Sequence, residues 1–217
     1  MQALIFRVTA RQIATYQTVK ITNNKDDNFN IDSGRLKTHL KELSAFGRNP
    51  ERGISRIAFS GADNKARQWL IEKMQRAGLQ VWVDPASNIH GQRDGRESNL
   101  PAILFGSHID SVPEAGIFDG TLGSLGALEI METLSSKNIE TRHPLRMVIW
   151  SDEEGIHFGQ GLFGSRAATA GPKRGELELT GDDGLSLSEW IERYGLEPSK
   201  IDRAIIDPRK IAAYFEL

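Results

Sequence analysis

His108 with Asp110, Asp119, and the run Asp152-Glu153-Glu154 are the residues of this 217-residue sequence whose types and spacing suit chemistry. In an extended segment a His-x-Asp pair projects both side chains to one side. An imidazole can then ligate a metal through one nitrogen while a carboxylate holds the proton of the other. The same spacing also fits a polar strand end followed by a turn at Val112-Pro113. Asp119, between Phe118 and Gly120, reads as the N-cap of a helix through Leu122, Leu125, Leu128 and Met131. A carboxylate there can simply cap the helix, and its two oxygens also suit bridging two cations. Asp152-Glu153-Glu154 is the most telling cluster, because neighbouring carboxylates raise one another's pKa unless a cation neutralises them, although a solvated loop would tolerate them too. One glutamate can bind a metal while its neighbour acts as general base, taking a proton from the attacking water and passing it to a leaving nitrogen. The chemistry suggested is hydrolysis at a metal pair.

Two apolar runs must position these groups. Ile103-Leu104-Phe105 reads as a buried strand ending at Gly106, and Met147 to Trp150 as a second that empties into the three acids. The carboxyl ends of strands in an open α/β sheet are where ligands bind, so the clusters are expected to converge on one crevice. Upstream, Asp32 or Ser33 caps a helix carrying Leu36, Leu40 and Leu43 and ending near Gly47, and Asn49 to Arg52 makes a turn. A helix over 62–77 buries Ala66, Trp69, Leu70 and Met74, with Gly78 as its stop. Strands over 79–83 and 88–92 pair through Pro85. Downstream come a small-residue helix over 161–170, a turn over 180–184, a helix over 185–194 capped by Ser186 or Ser188, a turn at 208–211 and a buried strand over 212–217. Gly120, Gly123 and Gly126 lack the spacing of a nucleotide fingerprint and read as a helix face packed against a neighbour. His39, His90 and His143 read as structural, and His157 as either a structural group or one facing substrate.

Composition narrows the class. With 39% hydrophobic residues the chain can bury an α/β core, and 27 basic against 29 acidic residues give no surface dedicated to nucleic acid. Cysteine is absent, so any metal is held by His and carboxylate, and a reducing cytoplasm is compatible. No apolar run approaches the roughly 20 residues of a membrane helix. Residues 1–30 read as an extension or linker, with Arg7, Arg11 and Lys20 ahead of the first acidic residue, Asp26.

The stretches GSHIDSVPEAGIFDG, SDEEG-x-x-F and GSRA resemble the N-carbamoyl-L-amino-acid hydrolase, allantoate amidohydrolase and β-ureidopropionase group. This group lies within the superfamily of dinuclear-metal amidases that includes aminoacylases and glutamate carboxypeptidases. The resemblance covers about residues 31–217, with RIAFSGAD, DPASNIHG and the closing IAAYFEL. It implies a three-layer α/β/α, zinc-peptidase-like catalytic domain. His108 would ligate one metal, Asp119 bridge both, and Glu154 ligate the other, while Asp110 orients His108 and Glu153 is the general base. The two divalent ions would be zinc, manganese, cobalt or nickel. The substrate would be a small carbamoyl or ureido compound hydrolysed at a linear C–N bond with release of ammonia. A peptidase or deacylase of the same superfamily is the near alternative.

The sequence departs from that group's pattern. Relatives continue from the strand resembling IAAYFEL into a His-Ile-Glu-Gln-Gly motif that supplies another ligand, and they carry a dimerisation and lid domain and a last ligand His. None of these is among the 217 residues, so residues 31–217 are expected to be the N-terminal part of a catalytic domain incomplete at its C-terminus, inactive or nearly so alone. The homodimer of the family would lack its dimerisation domain. A non-catalytic fragment that pairs with a full-length partner is the reading from another class. His157 stands where relatives tend to carry Arg.

Overall fold

The structure, a computed structural model, describes residues 30–217. The expected extension over residues 1–30 therefore lies outside the described residues but for Asn30. Helix α1 (Ser33–Leu43) starts where Asp32 accepts from the Arg35 N–H, as a capping carboxylate should. A small antiparallel ribbon follows, β1 (Arg48–Asn49) against β2 (Gly53–Ile54), around the expected polar turn. Helix α2 (Gly61–Arg76) is capped by Ser60. Then come β3 (Gln80–Val83), β4 (Ile89–Arg93), β5 (Ala102–His108), α3 (Thr121–Ser136) and β6 (Leu145–Trp150). Helix α4 (Phe163–Ala170), α5 (Leu187–Arg193), two 3-10 turns and β7 (Ile211–Glu216) complete the described chain. Ser186 and Glu189 form a capping box at the start of α5, which resolves the choice of cap.

The main sheet has five strands in the order β3-β4-β6-β5-β7. β4 runs antiparallel to β3 and β6, while β6, β5 and β7 are mutually parallel. One face packs on α1, α2 and α3 through Leu43, Leu70, Met74, Leu128, Met131, Met147 and Ile149. The other packs on α4 through Leu104, Val148, Trp150 and Ala168. These are the expected α/β/α layers. Among the described residues no helix is long and apolar enough to cross a membrane.

Four expectations are corrected. β5 does not stop at Gly106 but runs through to His108, because the strand passes so close to β6 that a Cβ at Gly106 would overlap the Val148 carbonyl oxygen. Glycine here permits pairing instead of ending it. The N-cap of α3 is Gly120, with φ 61 and no side-chain cap bond, not Asp119. Only glycine adopts that left-handed turn at low cost, and Asp119 is left exposed beside it. The close-packed glycine face is real at Gly120 and Gly123 but not at Gly126, where an added Cβ would meet nothing within 4 Å. Finally, β7 is an edge strand, half-buried at best, with Phe215 48% exposed.

The approach at Gly106 is testable. Gly106→Ala is expected to destabilise the fold by roughly 1–3 kcal/mol through overpacking, read as a lower urea midpoint. Gly116→Ala, where an added Cβ has open space, should leave the midpoint unchanged.

Candidate metal centre

In the parallel pairing of β5 with β6, His108 lies opposite Trp150. The two strands therefore end side by side, and the segment leaving β5 meets the acidic turn leaving β6. His108 is buried, and its carbonyl accepts from the Ser124 hydroxyl of α3 at 2.8 Å. Its Nδ1 lies 3.0 Å from the Asp110 carbonyl oxygen and 3.6 Å from Asp110 Oδ1. With Nδ1–H donating to that carbonyl, Nε2 is left as a ligand atom. The Glu154 N–H donates to Asp110 Oδ2 at 3.1 Å, so Asp110 joins the histidine segment to the acidic turn. That is a positioning role wider than the orientation of His108 alone.

The turn itself is held from below. Asp152 takes a left-handed φ of 49, which redirects the chain after Trp150. The N–H groups of Leu162, Phe163 and Gly164, where α4 begins, donate to the carbonyls of Glu153, Asp152 and Ser151. His108 Nε2 comes within 3.5 Å of Glu153 Oε2, and one ligand atom from each of His108, Glu153 and Glu154 lies within 4.8 Å of the others. Asp119 is not in this triple. It is exposed, although its negative charge still raises the pKa of Glu153 and Glu154, and its neighbour Gly120 packs against the His108 ring.

Electrostatics and hydrogen bonding favour a cation here. Burial disfavours a charged His108, but the hydrogen bond and charge of Asp110, helped by Glu153, outweigh it and lift its pKa to about 9. Burial and surrounding carboxylates push Asp152 up to about 8, and burial raises Glu153 and Glu154 as well. Among the described residues both carboxylate oxygens of Asp152 and Oε1 of Glu154 are buried without a hydrogen-bond partner. Unpaired buried carboxylates beside an imidazole form a hard oxygen and nitrogen donor set of the kind that zinc and manganese accept. These residues fit a divalent ion.

Residues 88–179 match Peptidase family M28. The chain is 36% identical over 187 residues to an N-carbamoyl-L-amino acid amidohydrolase of Geobacillus stearothermophilus, covering 86% of this chain and 46% of that protein. It is 34% identical over 166 residues to a ureidoglycolate hydrolase of Arabidopsis thaliana, covering 76% of this chain and 35% of that one. A crystal structure of a hydantoinase/carbamoylase family amidase from Burkholderia ambifaria superposes with a TM-score of 0.74 at 34% identity, over 78% of this chain and 42% of that chain. The chain is similar to the carbamoylase group of amidohydrolases. It spans about half the length, or less, of these carbamoylase-group relatives.

Two supports of this site have no signature in the local sequence. Arg56, fully buried, donates from Nε to the Ile109 carbonyl and from one terminal nitrogen to the Leu43 and Phe46 carbonyls, fixing the segment between His108 and Ser111. Asn88 accepts from the Ser151 N–H and donates to the Gly164 carbonyl, clamping the base of the acidic turn. His157 lies elsewhere: its ring donates to the Ala58 carbonyl and stacks on Phe158 in the packing around α5.

The raised pKa values make metal-free stability pH-dependent. The His108 contribution is fully present below its unfolded value of 6.5 and lost as pH rises through about 9. Asp152, raised from 3.8 to about 8, acts in the same direction, since the folded state again holds the extra proton. The metal-free protein should lose on the order of 2–3 kcal/mol between neutral and alkaline pH, and zinc or manganese should reverse the loss. His108→Asn should flatten the upper part of the slope. Urea midpoints that rise with pH in the absence of metal would contradict this account.

Proposed function

We propose that this chain carries the metal-binding half-site of an amidohydrolase that cleaves linear C–N bonds of small carbamoyl or ureido acids. The observation that carries the reading is the convergence of His108, Glu153 and Glu154 at the ends of β5 and β6, in a chain 36% identical to a carbamoyl-amino-acid hydrolase. In this reading His108 and Glu154 would each hold an ion, and Asp119, which stands outside their cluster here, would be shared by both. The ions would polarise the carbonyl and lower the pKa of water. Glu153, the carboxylate facing His108 Nε2, takes the proton of the attacking water and delivers it to the departing nitrogen. Its raised pKa suits both halves of that transfer. Asp110 acts on substrate only through others, by setting the Glu154 backbone and the His108 ring.

His108, Asp119 and Glu154 are three protein ligands for two ions, one of them shared, whereas catalytic sites use about three for each ion. Turnover by the 217 residues alone is therefore expected to be negligible with N-carbamoyl-L-amino acids, ureidoglycolate, allantoate, N-acyl amino acids or dipeptides, with zinc or manganese supplied. Residues 30–217 fused to the portion of the Geobacillus relative beyond its matched segment should release ammonia from carbamoyl or ureido substrates. In that fusion Glu153→Gln should lower kcat by roughly a hundredfold or more while metal content stays the same. Preferential cleavage of dipeptides or N-acyl amino acids would favour the peptidase or deacylase reading. Full metal loading and turnover in a His108→Ala variant would overturn the site assignment.

A further inference from the structure

On the sheet face turned away from α1, α2 and α3, cross-strand pairing places Trp82 of β3 beside His90 of β4, and Gln92 of β4 beside Arg146 of β6. Trp82, His90 and Arg146, together with residues of the segment 203–210, border a cleft of about 240 Å³. Three cations line it: Arg146, Arg203 and Lys210. Its two carboxylates are already committed. Asp84 accepts from the N–H groups of Ala86 and Asn88, from the Asn88 side chain, and from His90 Nε2 at 3.0 Å. Asp207 is paired with Arg209 at 2.8 Å. Arg146 is half-buried. It donates from Nε and a terminal nitrogen to Gln92 Oε1, lies 5.1 Å from the Trp82 ring centroid, and forms no ion pair among the described residues. A partly desolvated guanidinium with only a neutral partner is an uncompensated charge.

His90 and Trp82 form one wall of the cleft. It is 2% exposed and stacked on Trp82 with centroids 5.0 Å apart and planes 14° from parallel. Asp84 holds its Nε2–H, and Nδ1 is buried with no partner. Trp82, 39% exposed, presents an aromatic wall against which an organic remainder can rest.

We propose that this cleft is a binding site for a small phosphate-type oxyanion, separate from the acidic centre at the other end of β6. The net positive lining and the half-buried Arg146, whose side-chain partner is the neutral Gln92, are satisfied together by a multivalent oxygen ligand. The site holds the anion by charge-assisted hydrogen bonds and involves no bond breaking.

The test titrates the metal-free 217-residue protein with inorganic phosphate, or with glycerol phosphate, at constant ionic strength, with chloride as reference. The signals followed are the Trp82 indole N–H and the His90 ring nitrogens by NMR. Saturable shifts at both residues with one anion per chain are expected, and chloride should produce none. Tighter binding of the ester than of phosphate would assign the cleft to a phosphorylated metabolite, and equal binding would assign it to the free ion. Arg203→Gln, at an exposed position that leaves the fold intact, should weaken binding at least tenfold, and Arg146→Lys should weaken it with an unchanged thermal midpoint. Shifts that grow linearly with either anion, or Arg203→Gln binding as tightly as the parent, would overturn the proposal.

Discussion

The carboxylates of Asp110, Asp152, Glu153 and Glu154 are gathered where two adjacent parallel strands end, and like charges at that range resist being buried together. Positive charge close by is scarce. His108 already serves Asp110 and Glu153, and Arg166 is engaged by Glu176 and the Gly161 carbonyl. The deficit appears as raised proton affinities and as carboxylate oxygens with no partner. A protein can relieve such a deficit by exposing the acids, by keeping them protonated, or by taking up a cation. Here the backbone blocks the first route and the resemblance to amidohydrolases points to the third.

What blocks relaxation is the way each acidic residue is tied. Strand register sets His108 opposite Trp150, so the two loops cannot slide apart without breaking the central pairing of the sheet. The opening of α4 receives the carbonyls of the acidic turn, Asn88 clamps its base, and Asp110 holds the Glu154 N–H from the neighbouring strand. Arg56 spends a buried guanidinium wholly on carbonyl groups and so stiffens the segment after His108. Rigid backbone with unsatisfied side chains is the preorganisation a metal site requires.

The parts of this arrangement legible in the sequence were those with local physical signatures. Apolar spacing at Leu36, Leu40 and Leu43 and at Ala66, Leu70 and Met74 marks helices whose buried faces contact the sheet, and Asp32 and Ser186 mark caps by their chemistry. The convergence of His108 with Glu153 and Glu154 follows from the rule for strand ends. What the sequence hid depends on contacts distant along the chain. Gly106 resembles a strand breaker until Val148 is placed against it, and Asn88 has no visible partner until Ser151 and Gly164 arrive. Arg56 gives no local sign of its role, because the three carbonyls it serves lie elsewhere in the chain. Asp119 resembles a cap because the preference for Asp at that position is strong, yet Gly120 alone suits the left-handed entry to α3.

β6 draws these features into one scheme. Met147 and Ile149 face the helical core, Val148 and Trp150 face α4, Arg146 borders the cationic cleft and Asp152 follows the far end. Four steps of extended chain separate Arg146 from Trp150 by about 13 Å, and the chain then bends through Ser151 into Asp152. The charged groups that shift Asp152 are Asp110, Asp63, Glu176 and Arg166, none of which lines the cleft. The acidic end can therefore concentrate negative charge for cations without discharging the cleft, and the cleft can keep its cations without drawing protons from the acids. A single buried strand, apolar along its middle, insulates two oppositely charged surfaces that would otherwise neutralise each other.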